Sequence, residues 1–193
     1  MRRLIAVLAA LALVAVVAIG LGQAGGDTDR ADDEAPAFDL AEAKRELSGS
    51  PPQLAALHEQ SAQILAGGTK AFDKRLADLE GTPVVINKWA SWCRPCRSEF
   101  PIFQQVAADR GKTVAFLGVN AADKRPAAER FLAERPLPYP SYEDPGEDIA
   151  QDLKAAKYFP MTIFVDADGR TAYTKAGEYR TRAELEADID RYL

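Results

Sequence analysis

Apolar runs of strand length alternate with stretches of helical periodicity through the C-terminal part of the chain, residues 81–193. The runs predict four strands, at 83–89, 113–120, 161–165 and 170–175. Apolar residues spaced three and four apart predict four helices, at 93–109, 123–134, 147–156 and from Thr181 to the C-terminus. The last two strands are joined by a turn at 166–169 and form a hairpin. The pattern predicts an α/β domain with a mixed central β-sheet flanked by helices.

The chain before residue 81 has a different pattern in three successive parts. Residues 1–24 open with two arginines and continue as an apolar run from Leu4 to Leu21, which predicts an N-terminal membrane anchor or signal segment. Residues 25–49 are polar and acidic without periodicity and predict a flexible tether. Residues 50–80 carry helical apolar stripes and predict a helical extension in front of the main domain.

The extension is predicted to contain two helices. Ser50 is expected to cap the first one, with Pro51 at the first helical position, and Gly67 is expected to end it. His58 lies on this helix among alanine and glutamine residues. We expect this histidine to be exposed and to have no functional role.

Charge and composition exclude several classes of function. The chain carries 29 acidic and 24 basic residues, a net charge of −5, which argues against nucleic acid or an anionic membrane surface as a partner. Its 2 cysteines and 1 histidine are too few for the four ligands of a structural zinc site, and too few for a disulfide-stapled scaffold. We therefore expect neither a metal nor another dissociable cofactor.

The two cysteines, Cys93 and Cys96, stand where a predicted strand gives way to a predicted helix. Such a C-x-x-C pair is typical of a thiol–disulfide oxidoreductase. The helix N-terminus and the neighbouring Arg94 both favour the thiolate form of Cys93, so we expect Cys93 to be the attacking residue. Cys96 lies one turn further and is expected to resolve the mixed disulfide. Pro95 occupies a helix position at which no backbone donor is needed.

The residues around the pair extend this interpretation. The run V-V-I-N-K-W-A-S-W-C-R-P-C-R-S-E-F-P, residues 84–101, resembles the active site of the TlpA/ResA-like branch of the thioredoxin superfamily, which is related to the redoxin and AhpC/TSA group. Asn87 stands where thioredoxin has a buried aspartate, and Glu99 matches an acidic residue that this branch carries on its active-site helix. The resemblance implies a thioredoxin-like fold over 81–193. It also implies that Glu99 is a third catalytic residue, which holds or passes a proton for Cys96.

A second segment belongs to the same resemblance. Phe159 and Pro160 precede the predicted strand at 161–165, and the resemblance implies that Pro160 is a cis-proline lying against the disulfide, with Phe159 facing the sulfurs. The expected substrate-binding residues are Trp92, Arg94, Pro95, Phe159 and Pro160. Lys88 departs from the family, in which this strand position is commonly aromatic, and we expect its amine to reach the surface.

The resemblance implies a single-pass, membrane-anchored oxidoreductase on the extracytoplasmic side, or a secreted one if the N-terminal segment is cleaved. Its expected partners are exported proteins with thiols or disulfides, and a membrane redox partner that supplies or accepts electrons. Arg94 favours an oxidant, whereas Glu99 and the resemblance favour a reductant. We expect a reductase, with cytochrome c maturation or thiol homeostasis as the candidate roles.

Two other functions stay open. A thiol peroxidase of the redoxin group would place its cysteine in a P-x-x-x-[TS]-x-x-C frame, but Ile86 and Ala90 stand at the two defining positions before Cys93. A non-catalytic binding or chaperone module would make the cysteine pair incidental. Replacement of Cys93 without loss of function would indicate such a module.

Overall fold

The computed structural model describes residues 38–193. The predicted anchor or signal segment, residues 1–24, and the first part of the predicted tether lie outside the described residues. Within the described part, no helix is both long enough and apolar enough to cross a membrane. Phe38–Leu193 folds as one unit around a central sheet.

Six strands form this sheet in the spatial order β1-β4-β3-β2-β5-β6. Their bounds are β1 Ile64–Leu65, β2 Val84–Trp89, β3 Ala115–Ala121, β4 Ser141–Asp144, β5 Met161–Val165 and β6 Thr171–Ala176. The strands β1, β4, β3 and β2 are parallel, whereas β5 pairs with β2 and β6 with β5 in antiparallel fashion. The predicted mixed sheet and its closing hairpin are confirmed.

Helices cover both faces of the sheet because the strands bury alternate side chains on each side. The helices are α1 Leu40–Glu46, α2 Pro52–His58, α3 Gly68–Asp78, α4 Arg94–Arg110, α5 Arg125–Glu134, α6 Asp148–Asp152 and α7 Arg182–Tyr192. On the central strand β2, Val85 and Trp89 join the hydrophobic core under α4, α5 and α7. Val84 and Ile86 join the core under α2, α3 and α6 on the opposite face.

The prediction of a flexible tether over 25–49 has to be corrected where the structure describes it. Helix α1 begins after Asp39, whose carboxylate accepts hydrogen bonds from the first backbone N–H groups of the helix. Ala43 and Leu47 are buried, and α1 packs against α4. Leu40, Ala43 and Leu47 have helical spacing, but the acidic and polar residues that precede them made the whole segment resemble a tether.

The extension over 50–80 contains a strand as well as helices and is continuous with the main domain. Ile64–Leu65 was expected to lie within the first helix, but it pairs with β4 as the edge strand β1. Ser50 does not cap α2, because its hydroxyl donates to a backbone carbonyl three residues earlier, and Pro51 is the N-cap. Gly67 has φ of 113° and precedes α3 as its N-cap, so it begins a helix where we expected it to end one.

His58 is buried, contrary to the sequence expectation, with 8% of its surface exposed. It lies one turn after Leu54 on α2 and therefore shares the face that packs inward. Burial lowers the pKa of His58, although a hydrogen bond with the backbone of Gly111 acts in the opposite direction.

Close packing between β3 and β4 gives a prediction about stability. Gly118 lies opposite Ser141, and a Cβ at Gly118 would stand 2.0 Å from the serine hydroxyl. That hydroxyl also accepts a hydrogen bond from Trp89 Nε1 at 3.0 Å, so it has little freedom to move. We expect Gly118→Ala to lower the free energy of unfolding by about 1–3 kcal/mol through overpacking, measured by urea unfolding.

The matched control is Gly146→Ala. Its added Cβ would approach only the flexible carboxylate of Asp148, at 3.2 Å, so its effect on the free energy of unfolding is expected to be within about 0.5 kcal/mol. Equal stability of the two variants would show that Ser141 yields and that the contact with Gly118 is not a constraint.

Candidate active site

Cys93 and Cys96 form a disulfide at the beginning of α4. Cys93 is the N-cap residue, and its Sγ accepts a hydrogen bond from the backbone N–H of Cys96 at 3.1 Å. Cys93 is 3% exposed and Cys96 is fully buried, so the sulfur of Cys93 is the more accessible one. The helix N-terminus favours a negative charge at that sulfur. Within residues 38–193, no group of three or more His, Cys, Asp or Glu side chains could hold a metal ion.

Two aromatic side chains border the disulfide. Trp92 is 59% exposed, and its Nε1 donates to the carbonyl oxygen of Ala122 at 2.9 Å. The ring centroid of Phe159 lies 5.0 Å from that of Trp92. The peptide bond between Phe159 and Pro160 is cis, as the resemblance implied. Phe159 also packs against the core cluster that contains both cysteines.

The expected substrate-binding residues are divided between two grooves. Pro95, Phe159 and Pro160 line a groove of about 620 Å³, together with residues of β6 and the segment that follows it. Trp92 and Arg94 line a second groove of about 410 Å³. The five residues are therefore divided between two grooves, which adjoin each other where the ring centroids of Trp92 and Phe159 lie 5.0 Å apart.

Glu99 is fully buried on α4, one turn after Cys96. Its Oε1 accepts a hydrogen bond from Asn87 Nδ2 at 2.8 Å, and its Oε2 accepts one from the backbone N–H of Tyr179 at 3.1 Å. Burial raises the pKa of Glu99 to about 8, although these two hydrogen bonds and the charge of Lys175 act in the opposite direction. At neutral pH the carboxyl is therefore largely protonated, and its pKa lies close to that of an ordinary thiol.

Lys88 does not reach the surface, which corrects the sequence expectation. Its side chain is fully buried, because β2 is a central strand with helices on both faces. Its Nζ donates, at 3.0–3.2 Å, to the carbonyl oxygens of Ala155, Ala156 and Tyr158. The same nitrogen forms a 2.8 Å ion pair with Glu147 and lies 3.7 Å from the centroid of the Phe159 ring. A buried ammonium group requires such partners.

Asp123 holds the loop that leads into the cysteines, a function that the sequence pattern did not reveal. Its carboxylate accepts hydrogen bonds from the backbone N–H and hydroxyl of Ser91, at 2.5 and 3.0 Å, and from Asn120 Nδ2 at 3.0 Å. The helix predicted from residue 123 begins instead at Arg125, with Lys124 as N-cap. The sequence nevertheless indicates that Ser91 and Asp123 lie close together. They follow the parallel strands β2 and β3, whose carboxyl ends meet at one edge of the sheet.

Comparison with known proteins agrees with this geometry. The family model described as Redoxin matches residues 30–191. The chain belongs to the Redoxin family. Two curated relatives of this redoxin are thiol–disulfide exchange proteins by name. The thiol:disulfide interchange protein DsbE of Pseudomonas fluorescens biotype C is 40% identical over 100 residues, 50% of this chain and 54% of the relative.

The second relative is the thiol-disulfide oxidoreductase ResA of Oceanobacillus iheyensis, 32% identical over 96 residues, 49% of this redoxin and 50% of the relative. The chain thus spans about half the length of both curated relatives. Among solved structures, a DsbF homologue from Corynebacterium diphtheriae is 32% identical with a TM-score of 0.52, over 60% of this chain and 75% of that chain.

A secreted Mycobacterium tuberculosis disulfide oxidoreductase homologous to E. coli DsbE is 26% identical with a TM-score of 0.54. The alignment covers 60% of this redoxin and 85% of that chain. These likenesses confirm the predicted thioredoxin-like fold and the resemblance to the ResA, DsbE and TlpA-like proteins.

The buried carboxyl of Glu99 makes the stability of this redoxin depend on pH. Its pKa is about 8 in the folded protein and about 4.3 in an unfolded chain. The folded state therefore binds more protons between these values, and the free energy of unfolding falls as the pH rises through them. The destabilisation caused by ionising the buried carboxyl of Glu99 is absent below a pH of about 4.3 and complete above a pH of about 8. We expect Glu99 to contribute a slope of about 1.4 kcal/mol per pH unit in between.

Glu99→Gln is expected to remove this slope. Urea unfolding of the oxidised protein, in which the cysteines do not titrate, measures the effect from about pH 5 to about pH 9. The matched control is Glu134→Gln, at the exposed C-terminal end of α5, which should retain the slope of the wild type. A Glu99→Gln profile parallel to that of the wild type would show that Glu99 titrates normally.

Proposed function

We propose that this redoxin catalyses thiol–disulfide exchange with exported proteins, with Cys93 as the attacking residue and Cys96 as the resolving residue. The observation that carries the proposal is the Cys93–Cys96 disulfide at the N-terminus of α4, with the more accessible sulfur at the N-cap. The names of the DsbE and ResA relatives support the same chemistry.

In the reducing direction, the thiolate of Cys93 attacks a disulfide of the substrate. One substrate sulfur leaves as a thiolate, and the other forms a mixed disulfide with Cys93. Cys96 then loses its proton and attacks the Cys93 sulfur, which releases the second substrate thiolate and forms the Cys93–Cys96 bond. Two electrons pass to the substrate, and a membrane redox partner must return two electrons to the pair.

Glu99 acts in the second step of this proposal. Cys96 is a thiol in the mixed disulfide and must be deprotonated before it attacks. Glu99 stands one turn away on the same buried face of α4, and its raised pKa allows it to exchange a proton near neutral pH. Glu99 therefore favours resolution of the intermediate, which supports a reductase over an oxidase.

The substrate strand is proposed to lie in the groove along Pro95, Phe159 and Pro160. This groove is open to solvent, and it is lined by Pro95, two residues after Cys93, and by both residues of the cis Phe159–Pro160 bond. Trp92 and Arg94, which line the second groove, would contact the part of the substrate that continues beyond the reacting sulfur.

In this proposal, residues 1–24 place the domain on the extracytoplasmic side, either on a membrane anchor or after secretion. The Mycobacterium tuberculosis relative is described as secreted, which supports export. The proposed substrates are disulfides of exported proteins, in cytochrome c maturation or in thiol homeostasis.

Trapping tests the exchange mechanism. We expect a Cys96→Ser variant to accumulate mixed disulfides through Cys93, because the resolving sulfur is absent, and mass spectrometry would identify the bound proteins. The matched control is Cys93→Ser, which should trap none. Alkylation of the wild-type pair in cells then reports its direction, since a reductase is kept mainly in the dithiol form.

Three results would contradict the proposal in different ways. Lack of adducts in Cys96→Ser would exclude the exchange mechanism. A pair found fully oxidised in cells would indicate an oxidase. Hydrogen peroxide consumption that requires Cys93 but not Cys96 would indicate a thiol peroxidase.

A further inference from the structure

Lys88 connects the central strand with the loop that ends at Phe159. The three carbonyl oxygens that accept hydrogen bonds from its Nζ all belong to this loop, residues 153–159. The loop lies outside the helices and strands, so its carbonyl groups do not join a regular backbone ladder. A single buried ammonium group therefore organises the backbone immediately before the cis-proline turn.

The same ammonium group contacts the aromatic residues at the rim of the site. Its Nζ lies 3.7 Å from the centroid of the Phe159 ring, and that ring in turn packs against Trp92. A cation–π contact is strongest where water is excluded, as it is around the fully buried Lys88. The ion pair with Glu147, whose side chain is 27% exposed, balances the charge from the side of α6.

We propose that Lys88 is a positioning residue for the substrate-binding loop, which holds Phe159 and the preceding backbone in the orientation that a substrate strand meets. The proposal rests on the proposed function, because it takes Phe159 and Pro160 as the place where substrate binds. A polypeptide disulfide needs the ordered loop, whereas a small aromatic disulfide can react with Cys93 without it. Loss of Lys88 should therefore affect the two kinds of disulfide differently.

The test compares Lys88→Met, of similar length but without N–H donors, with the wild type. Reduced protein is mixed with dithiobis(nitrobenzoate) or with a disulfide-linked peptide, and the second-order rate constants are measured. We expect the constant for the peptide to fall about tenfold and that for the small disulfide to change less than twofold. Lys88→Gln, which retains two donors, should lie between Lys88→Met and the wild type.

A double-mutant cycle with Phe159→Leu tests whether Lys88 affects the rate with the peptide through its contact with Phe159. If Lys88 acts through Phe159, the double variant Lys88→Met/Phe159→Leu should react with the peptide no more than twofold more slowly than Phe159→Leu alone. An equal loss for both disulfides, or no loss for either, would overturn the positioning role. If the wild type reacts with neither disulfide, the proposed function fails instead.

The groove that contains Trp92 and Arg94 supports a separate inference. Its lining residues are Trp92, Arg94, Arg97, Ser98 and Arg135, which supply three guanidinium groups and no carboxylate. In the described part of the chain, none of the three arginines forms an ion pair. Arg97 lies over the Phe131 ring at 5.1 Å, and its side chain is exposed to solvent.

This basic groove is opposite in sign to the protein as a whole, whose net charge is −5. A local cluster of one sign beside a reactive group attracts ligands of the other sign and raises their rate of association. We infer that the groove receives an acidic segment of the partner polypeptide, next to its reacting cysteine, with Trp92 packing on the apolar part of that segment. This inference also rests on the proposed function.

Two disulfide-linked peptides that differ only in glutamate or lysine residues beside the cysteine provide the test. At low ionic strength we expect the reduced wild type to react with the acidic peptide about tenfold faster than with the basic one. The preference should weaken in about 0.3 M salt, since exposed charges are screened. Arg97→Glu/Arg135→Glu should lose or invert it, whereas the control Arg45→Glu/Arg130→Glu, with both arginines exposed outside the groove, should retain it.

The outcomes separate the docking surface from the exchange reaction. Equal rates for the two peptides in the wild type, or equal preferences in the groove variant and the control variant, would overturn the acidic docking surface and leave the exchange reaction intact. Absence of reaction with both peptides would overturn the proposed function.

Discussion

Strand β2 places an amide and an ammonium group in the protein interior at successive positions, and much of the site follows from the hydrogen bonds that these two groups donate. Because side chains alternate across a strand, Asn87 and Lys88 point to opposite faces of the sheet. Asn87 donates to Glu99 of α4 on one face, and Lys88 donates to the loop before Phe159 on the other. A buried polar group without a partner is costly, so both contacts constrain the elements that provide them.

The disulfide follows this strand. The two elements that hydrogen-bond to β2 side chains are helix α4, which carries both cysteines, and the loop before Phe159. The segment that follows the neighbouring strand β3 holds the connecting loop, since Asp123 accepts hydrogen bonds from Ser91 and the carbonyl of Ala122 accepts one from Trp92. Cys93 therefore begins α4 in a defined position relative to both grooves. The rigid sheet supplies this position, while Trp92 itself stays exposed for contact with a partner.

Local patterns were sufficient to predict the strands β2, β3, β5 and β6, the C-x-x-C turn and, with the family resemblance, the cis bond before Pro160, but not the short strands β1 and β4. They failed where a distant contact decides the outcome. Lys88 was expected at the surface because the sequence does not show the carbonyl groups that surround it. The contact between Glu99 and the backbone N–H of Tyr179 joins residues 80 positions apart, and a backbone donor carries no signal in the residue type.

The burial of Glu99 has opposite consequences for stability and for chemistry. A carboxyl with an ordinary pKa near 4.3 differs from a thiol near 8.5 by about four units, so accepting the thiol proton would be uphill by about 6 kcal/mol. With a pKa of about 8, the difference is about half a unit, below about 1 kcal/mol. The desolvation that destabilises the fold at high pH thus brings the proton affinity of Glu99 close to that of an ordinary thiol. Asn87 and Tyr179 hold the carboxyl in place without reversing that effect, because burial is the larger cause of the shift.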